Sequence, residues 1–206
     1  MEDRCDLKTE KRKMTSKQIA KIGILGAVSG LLMLLEFPLF FAPSFYQIDF
    51  SEVSVLVGTF ALGPVAGVLI EAIKILVKFI FKGTLTAGVG EFANFLIGAC
   101  LIVPAGIIYK RKKNMANAII GMLVGTLFMT LVGALVNYYV LIPAFSKALN
   151  TPIQVFIDMG TAINSKITTL WDLILLTNVP FNLVKGLVTS ILVFLLYKRI
   201  SPILHK

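Results

Sequence analysis

Charged residues, glycines and prolines divide this chain into six apolar runs, roughly residues 18–35, 51–63, 65–81, 87–109, 115–142 and 171–197. A straight helix needs about 20 apolar residues to cross a hydrocarbon core about 30 Å thick, so the longer runs predict membrane spans. The second run is too short to cross if straight, and only "LGP" separates it from the third. Those two predict a tight helical hairpin or one broken element. The pattern as a whole predicts an all-α integral membrane protein with six transmembrane helices. It forms a single membrane domain over 1–206, with a basic tail (1–17), a helical bundle (18–197) and a short C-terminal tail (198–206).

Composition agrees: 57% of the residues are hydrophobic, 15% are charged and the mean hydropathy is +0.87, an apolar excess that no soluble core requires. The net charge of +9 would in a soluble protein suggest nucleic acid. Here fourteen of the twenty Lys and Arg residues lie in three clusters beside apolar runs: Arg4 to Lys21, Lys110 to Lys113, and Lys198, Arg199 and Lys206. That clustering follows the positive-inside rule and argues for a lipid bilayer, not nucleic acid, as the partner of the basic residues. With six spans, all three clusters fall on one side, so both termini are expected in the cytoplasm of a multi-pass cell-membrane protein. The run near Ile19 is as long as a span and no A-x-A cleavage pattern follows it, so it reads as the first helix and not as a signal peptide.

Several chemistries are excluded. The one histidine, His205, is the penultimate residue, which leaves no histidine for a triad or a metal site in the membrane. The two cysteines, Cys5 and Cys100, lack metal-ligand neighbours. No GxxxxGK[ST] loop occurs, so any ATP used is hydrolysed by a partner. The chain is not expected to be an enzyme or to hold a cofactor or metal.

Within the spans, polar residues gather at one depth. Lys185 is thirteen residues from both Asp172 and Lys198, which mark the ends of the last run, so it sits near the midplane. A lysine there costs about 2.5–3.5 kcal/mol on insertion scales and should face protein or a cavity. Asn178, Asn182 and Lys185 are spaced i, i+4, i+7 and share a helical face. No acid in that span is placed to neutralise the lysine, and Pro180 favours a kink. The fifth run brings "NYY" (Asn137, Tyr138, Tyr139) and the fourth brings Glu91 and Asn94 to the same level.

Phe45, Tyr46, Phe92, Phe95, Tyr138, Tyr139 and Phe181 add flat faces. Together these residues predict a pocket for a planar polar molecule arriving from outside. The first outer loop, "EFPLFFAPSFYQID" from Glu36 to Asp49, is too apolar to extend into water and is expected to cover the helix ends. The last outer connection, Pro143 to Leu170, reads as a long loop. Glu71, Lys74 and Lys78, spaced i, i+3, i+7, predict an internal ion pair between Glu71 and one of the lysines.

Three blocks carry a resemblance: Tyr46 to Gly98 ("YQIDFSEVSVLVGTFALGPVAG…EFANFLIG"), "NYYVLIPAF" from Asn137, and "PFNLVKG" from Pro180. Together they resemble the riboflavin-specific substrate-binding (S) component of energy-coupling-factor (ECF) vitamin transporters. The resemblance implies a six-helix S-component fold and high-affinity riboflavin capture for uptake. It also implies partnership with a membrane scaffold subunit and two ATPases. Its polar flavin contacts match Asn137, Asn182 and Lys185, with Asp49 beside the first loop. S components typically meet the scaffold through A-x-x-x-A on the first helix; the nearest match here is Gly23 to Ala27, with Gly30 one turn further along. A different vitamin, or a flavin nucleotide, is the alternative substrate.

Overall fold

The structure, a computed structural model, describes residues 14–204, with side chains as far as Tyr197. The basic residues up to Lys13, Cys5 and the last two residues lie outside it, as do the side chains of Lys198 and Arg199.

Helix α1 (Ser16–Leu34) opens on a capping box. Thr15 Oγ1 accepts from the Gln18 amide, and Gln18 Oε1 accepts from the Thr15 amide at 3.0 Å, so two otherwise free N–H groups are satisfied. The next segment doubles back through two-residue strands, β1 (Phe37–Pro38) and β2 (Gln47–Ile48), paired antiparallel. This is the one departure from an all-helical fold among the described residues.

Helix α2 (Ser51–Leu62) follows and turns at Gly63 into α3 (Pro64–Lys82). Gly63 has φ of +98°, a conformation open to glycine and closed to most side chains, and Pro64 supplies the fixed φ of a first helical turn. The expected hairpin is therefore present. At twelve residues, α2 rises only about 18 Å. It runs through the middle of the bundle, flanked by α1, α3, α4 (Val89–Arg111) and α9 (Val179–Leu204), and is almost entirely buried.

The last third is more helical than its sequence suggests. Helix α5 (Met115–Val136) passes through a π turn (Asn137–Leu141) into α6 (Ile142–Ala148), giving one continuous element over 115–148. The connection expected to be a loop holds α6 and α7 (Ile153–Thr161). These fold because Ile142, Phe156, Ile157, Ile167 and Leu173 bury one another in a small cluster at that end of the bundle. Helix α8 (Leu170–Leu173) then runs through a second π turn (Ile174–Asn178) into α9. Helix α9 extends to Leu204, so residues 198–204 of the expected C-terminal tail are helical; lysine and arginine mark the end of the apolar stretch but favour helix.

Close helix packing depends on small residues. A Cβ on Gly26 would lie 2.6 Å from Ile73, and one on Gly121 would lie 2.8 Å from the Ala105 carbonyl oxygen. The core centres on Leu56, Phe60, Ile70, Leu101, Tyr109 and Met129. Four helical elements, Ser16–Leu34, Val89–Arg111, Met115–Ala148 and Leu170–Tyr197, are long and apolar enough to cross a membrane. Large side chains such as Ile24, Leu127 and Leu195 project outward, as lipid contact requires. Helix α3, also nineteen residues long, carries Glu71, Lys74, Lys78 and Lys82.

Candidate functional site

A cavity of about 450 Å³ opens between the first loop and the facing ends of α3, α4, α5 and α9, within the size range of small-molecule sites. Each wall has a local cause. The first loop lies back over the bundle, as its composition predicts, with Ala42, Tyr46 and Ile48 packed on Phe181. The rings of Tyr46 and Phe181 are 5.5 Å apart, and Phe45 stands edge-on to Phe156 at 5.6 Å.

Both ends of the loop are tied by charge. Glu36 accepts from Lys82 Nζ at 2.6 Å and from Lys78 Nζ at 3.2 Å. Asp49 Oδ2 accepts from Lys185 Nζ at 3.1 Å, while Asp49 Oδ1 accepts from both the amide and the hydroxyl of Ser51. Burial alone would raise the Asp49 carboxyl, but Lys185, Lys74 and the Ser51 hydrogen bonds outweigh it and hold the group well below the usual carboxylate range. Lys185 thus has a neutralising acid, contributed by the loop instead of by its own helix.

The two π turns shape the opposite wall. Each lies immediately before a proline-bearing turn, Pro143 in α6 and Pro180 in α9. A proline has no N–H and crowds the carbonyl four residues back, and widening the preceding turn relieves that clash. The turns begin at Asn137 and end at Asn178, and both side chains line the cavity. Asn137 donates Nδ2–H to the Gly133 carbonyl at 2.8 Å, which leaves its buried Oδ1 with no hydrogen-bond partner. The buried Tyr46 hydroxyl also lacks one. Buried polar atoms without partners are uncommon and costly, and here two of them belong to residues that line one cavity.

The residues expected at the site divide into two groups. Tyr46, Asp49, Glu91, Asn94, Asn137, Asn178 and Lys185 all line the cavity; Glu91 accepts from the Thr84 hydroxyl at 2.7 Å. Asn182 and Tyr138 do not. Asn182 is buried between helices: it donates to Asn178 Oδ1 at 3.1 Å, and its Nδ2 would be 2.9 Å from a Cβ on Gly133. Tyr138 stands edge-on to Trp171 at 5.0 Å. Of the other aromatic residues, Phe45 and Phe181 line the cavity, whereas Phe92 and Tyr139 are exposed.

On α3, Lys74 pairs with Glu71 at 2.6 Å as expected, but it also pairs with Glu52 of α2 at 2.7 Å. Lys78 pairs with Glu36 and not with Glu71, since seven residues along a helix is about 10 Å. Glu36, Lys78 and Lys82 line the outer part of the cavity, and the sequence pattern did not place them there. The i, i+4 spacing of the two lysines was the available signal.

On α1, a Cβ at Gly23 would meet nothing within 4 Å, and Ala27 is exposed. Gly30 differs: it is buried against Val77 and serves α1–α3 packing.

The sequence model of the family described as "ECF transporter, substrate-specific component" matches residues 17–197. The riboflavin transporter RibU of Staphylococcus aureus is 35% identical over 191 residues, covering 93% of this chain and 94% of that protein. The riboflavin transporter FmnP of Bacillus subtilis is 30% identical over 190 residues, covering 92% and 94%. A solved S component of a bacterial ECF transporter superposes with a TM-score of 0.69 at 35% identity, covering 92% of this chain and 98% of that one.

Proposed function

The chain belongs to the substrate-specific components of ECF transporters, and from that premise we propose that the cavity between its first loop and helices α4, α5 and α9 is where it takes riboflavin for uptake. It is a membrane protein that acts as a transport subunit and not as an enzyme. The observation that carries the assignment of the site is the pair of unpartnered buried atoms, Asn137 Oδ1 and Tyr46 Oη, on residues lining one cavity with Lys185. An isoalloxazine ring carries an N–H that an amide oxygen accepts and carbonyls to which a phenol or an ammonium donates. Phe45, Tyr46 and Phe181 offer it apolar faces.

In this reading Lys185 binds the ring system while remaining paired with Asp49, and Asn94 and Glu91 contact the ligand from α4. Asn182 acts one step removed by holding Asn178. Tyr138 supports the wall through Trp171.

The six apolar runs lie in the cell membrane as a bundle with both termini in the cytoplasm, the arrangement that places every basic cluster on one side. The cavity then opens outward. A membrane scaffold subunit and two ATPases supply the energy, and the open face of α1 at Gly23 and Ala27 is the surface offered to the scaffold. Gly30 is not part of that surface.

Binding is tested by titrating riboflavin against the purified chain in detergent and following quenching of flavin fluorescence. Saturable quenching at one flavin per chain, lost in Lys185→Met, is the expected result. Protein that neither copurifies with flavin nor quenches it would refute the reading.

A further inference from the structure

The flavin reading leaves one charged cluster in the cavity unused. Glu36, Lys78 and Lys82 all line it, and the two ammonium groups share the one carboxylate at 3.2 and 2.6 Å. The cluster sits toward the mouth, marked by Lys82: the side chains of Glu36, Lys78 and Lys82 are 12%, 17% and 40% exposed, against 3% for Asp49 and 14% for Lys185 at the deep end. Lysines four residues apart lie on one side of a helix, so both point at the same small volume.

The two ends of the cavity differ in how their charges are shared. At the deep wall Asp49 pairs with Lys185 at 3.1 Å, and behind it Glu52 and Glu71 share Lys74 at 2.7 and 2.6 Å. At the mouth two ammonium groups face one carboxylate. Among the described cavity-lining cations, Lys185 is committed to Asp49, whereas Lys78 and Lys82 share Glu36; the third lining acid, Glu91, accepts from the Thr84 hydroxyl. A phosphate monoester, carrying about −1.5 to −2 at neutral pH, finds two neighbouring ammonium groups at the mouth. There it meets Glu36, which already presents two oxygens to the two lysines.

We propose that Glu36 is a specificity-determining residue that holds Lys78 and Lys82 as an internal substitute for phosphate, so that the cavity favours a flavin ending in a hydroxyl over the same flavin ending in a phosphate monoester. The inference rests on the flavin reading above. A ribityl hydroxyl reaches the mouth without disturbing the ion pairs. A phosphate must displace Glu36 and strand a half-buried carboxylate beside a dianion, or else forgo the lysines. Discrimination thus comes from a repulsive group built against the unwanted ligand.

The test measures dissociation constants for riboflavin and for riboflavin 5′-phosphate on the same full-length preparations, by fluorescence quenching at low salt. Glu36→Gln should move the ratio of the two constants toward the phosphate ester by about tenfold, and adding Lys78→Gln and Lys82→Gln should abolish that shift. Raised salt should diminish it. If Glu36→Gln does not fold, Lys82→Gln alone serves: Glu36 keeps Lys78, and the ratio should move the opposite way, against the phosphate ester. Wild-type protein that binds riboflavin, combined with variants whose ratio stays constant, overturns the role of Glu36 and leaves the flavin reading intact. Wild-type protein that binds neither flavin overturns both.

Discussion

Helix α3 carries two ion clusters less than two turns apart, and they have opposite characters. Around Lys74, two acids share one base, with side chains no more than 4% exposed. Around Glu36, two bases share one acid at a cavity mouth, and Lys82 is 40% exposed. Residue types and distances are nearly the same, so the difference in behaviour comes from water. In the dry cluster the charges were desolvated when the helices packed, and each now depends on the others. In the wet cluster solvent can replace any partner, and the groups are free to respond to a ligand. One helical stripe therefore runs from a structural element to a selective one.

The comparison fails most visibly if the dry cluster tolerates loss of its base. Lys74→Met leaves Glu52 and Glu71 without a cation in the dry interior of the bundle and should destabilise the protein by about 3–5 kcal/mol, read as a collapse of the thermal transition in detergent. Restoring the balance with Glu52→Gln and Glu71→Gln in the same chain should recover much of that loss. A Lys74→Met protein as stable as wild type would show that water reaches the cluster.

Lys185→Met stands between the two cases, because its partner is buried but its own side chain faces the cavity. It should weaken riboflavin binding by about 2 kcal/mol or more, with a smaller loss of stability. Adding Asp49→Asn should recover stability and not affinity.

Asp49 also carries a pH signature. Its folded carboxyl lies below the ordinary value near 3.9, so its contribution to stability is complete above that value and is lost as pH falls through the lower folded one. Asp49→Asn should therefore flatten the acid limb of a stability-against-pH curve.

A smaller effect is expected from Asn137→Ala, which removes one acceptor and should weaken riboflavin binding by about 1–2 kcal/mol while leaving the thermal midpoint within a few degrees of wild type. The smallest is Lys82→Gln, at less than about 1 kcal/mol of stability. A larger loss there would mean that the mouth is structural after all.

The helices were legible because membrane spans are written as long apolar runs, and Lys185 was legible because a lysine within such a run demands an explanation. The convergence of Asn94, Asn137 and Asn178 followed from depth alone. The partner of Lys185 did not: Asp49 lies 136 residues away, in a loop whose path no periodicity encodes. The same limit concealed Glu36, which packing brings to Lys78 and Lys82 across more than forty residues.

Asn182 lies off the cavity lining for a different reason. It lies about 60° around the helix from Lys185, close enough to seem part of one stripe. That edge faces α5, where Gly133 leaves room for an amide. Depth is set by position along one helix, whereas facing depends on which neighbour is packed there.

The two π turns have a consequence for how this wall can change. Each accommodates one residue more than an α-helix uses for the same rise. Deleting one residue between Tyr138 and Leu141 would close the turn to ordinary α geometry, leave Asn137 in place and keep the helix after it close to its present face. Phe145, which now lines the cavity, would still face it, and α5 would keep its contacts with α4; what would change is the local path of Tyr138 to Leu141. The irregular turn behind Asn137 can thus be gained or lost with a single codon, on a bundle that need not repack to accept it.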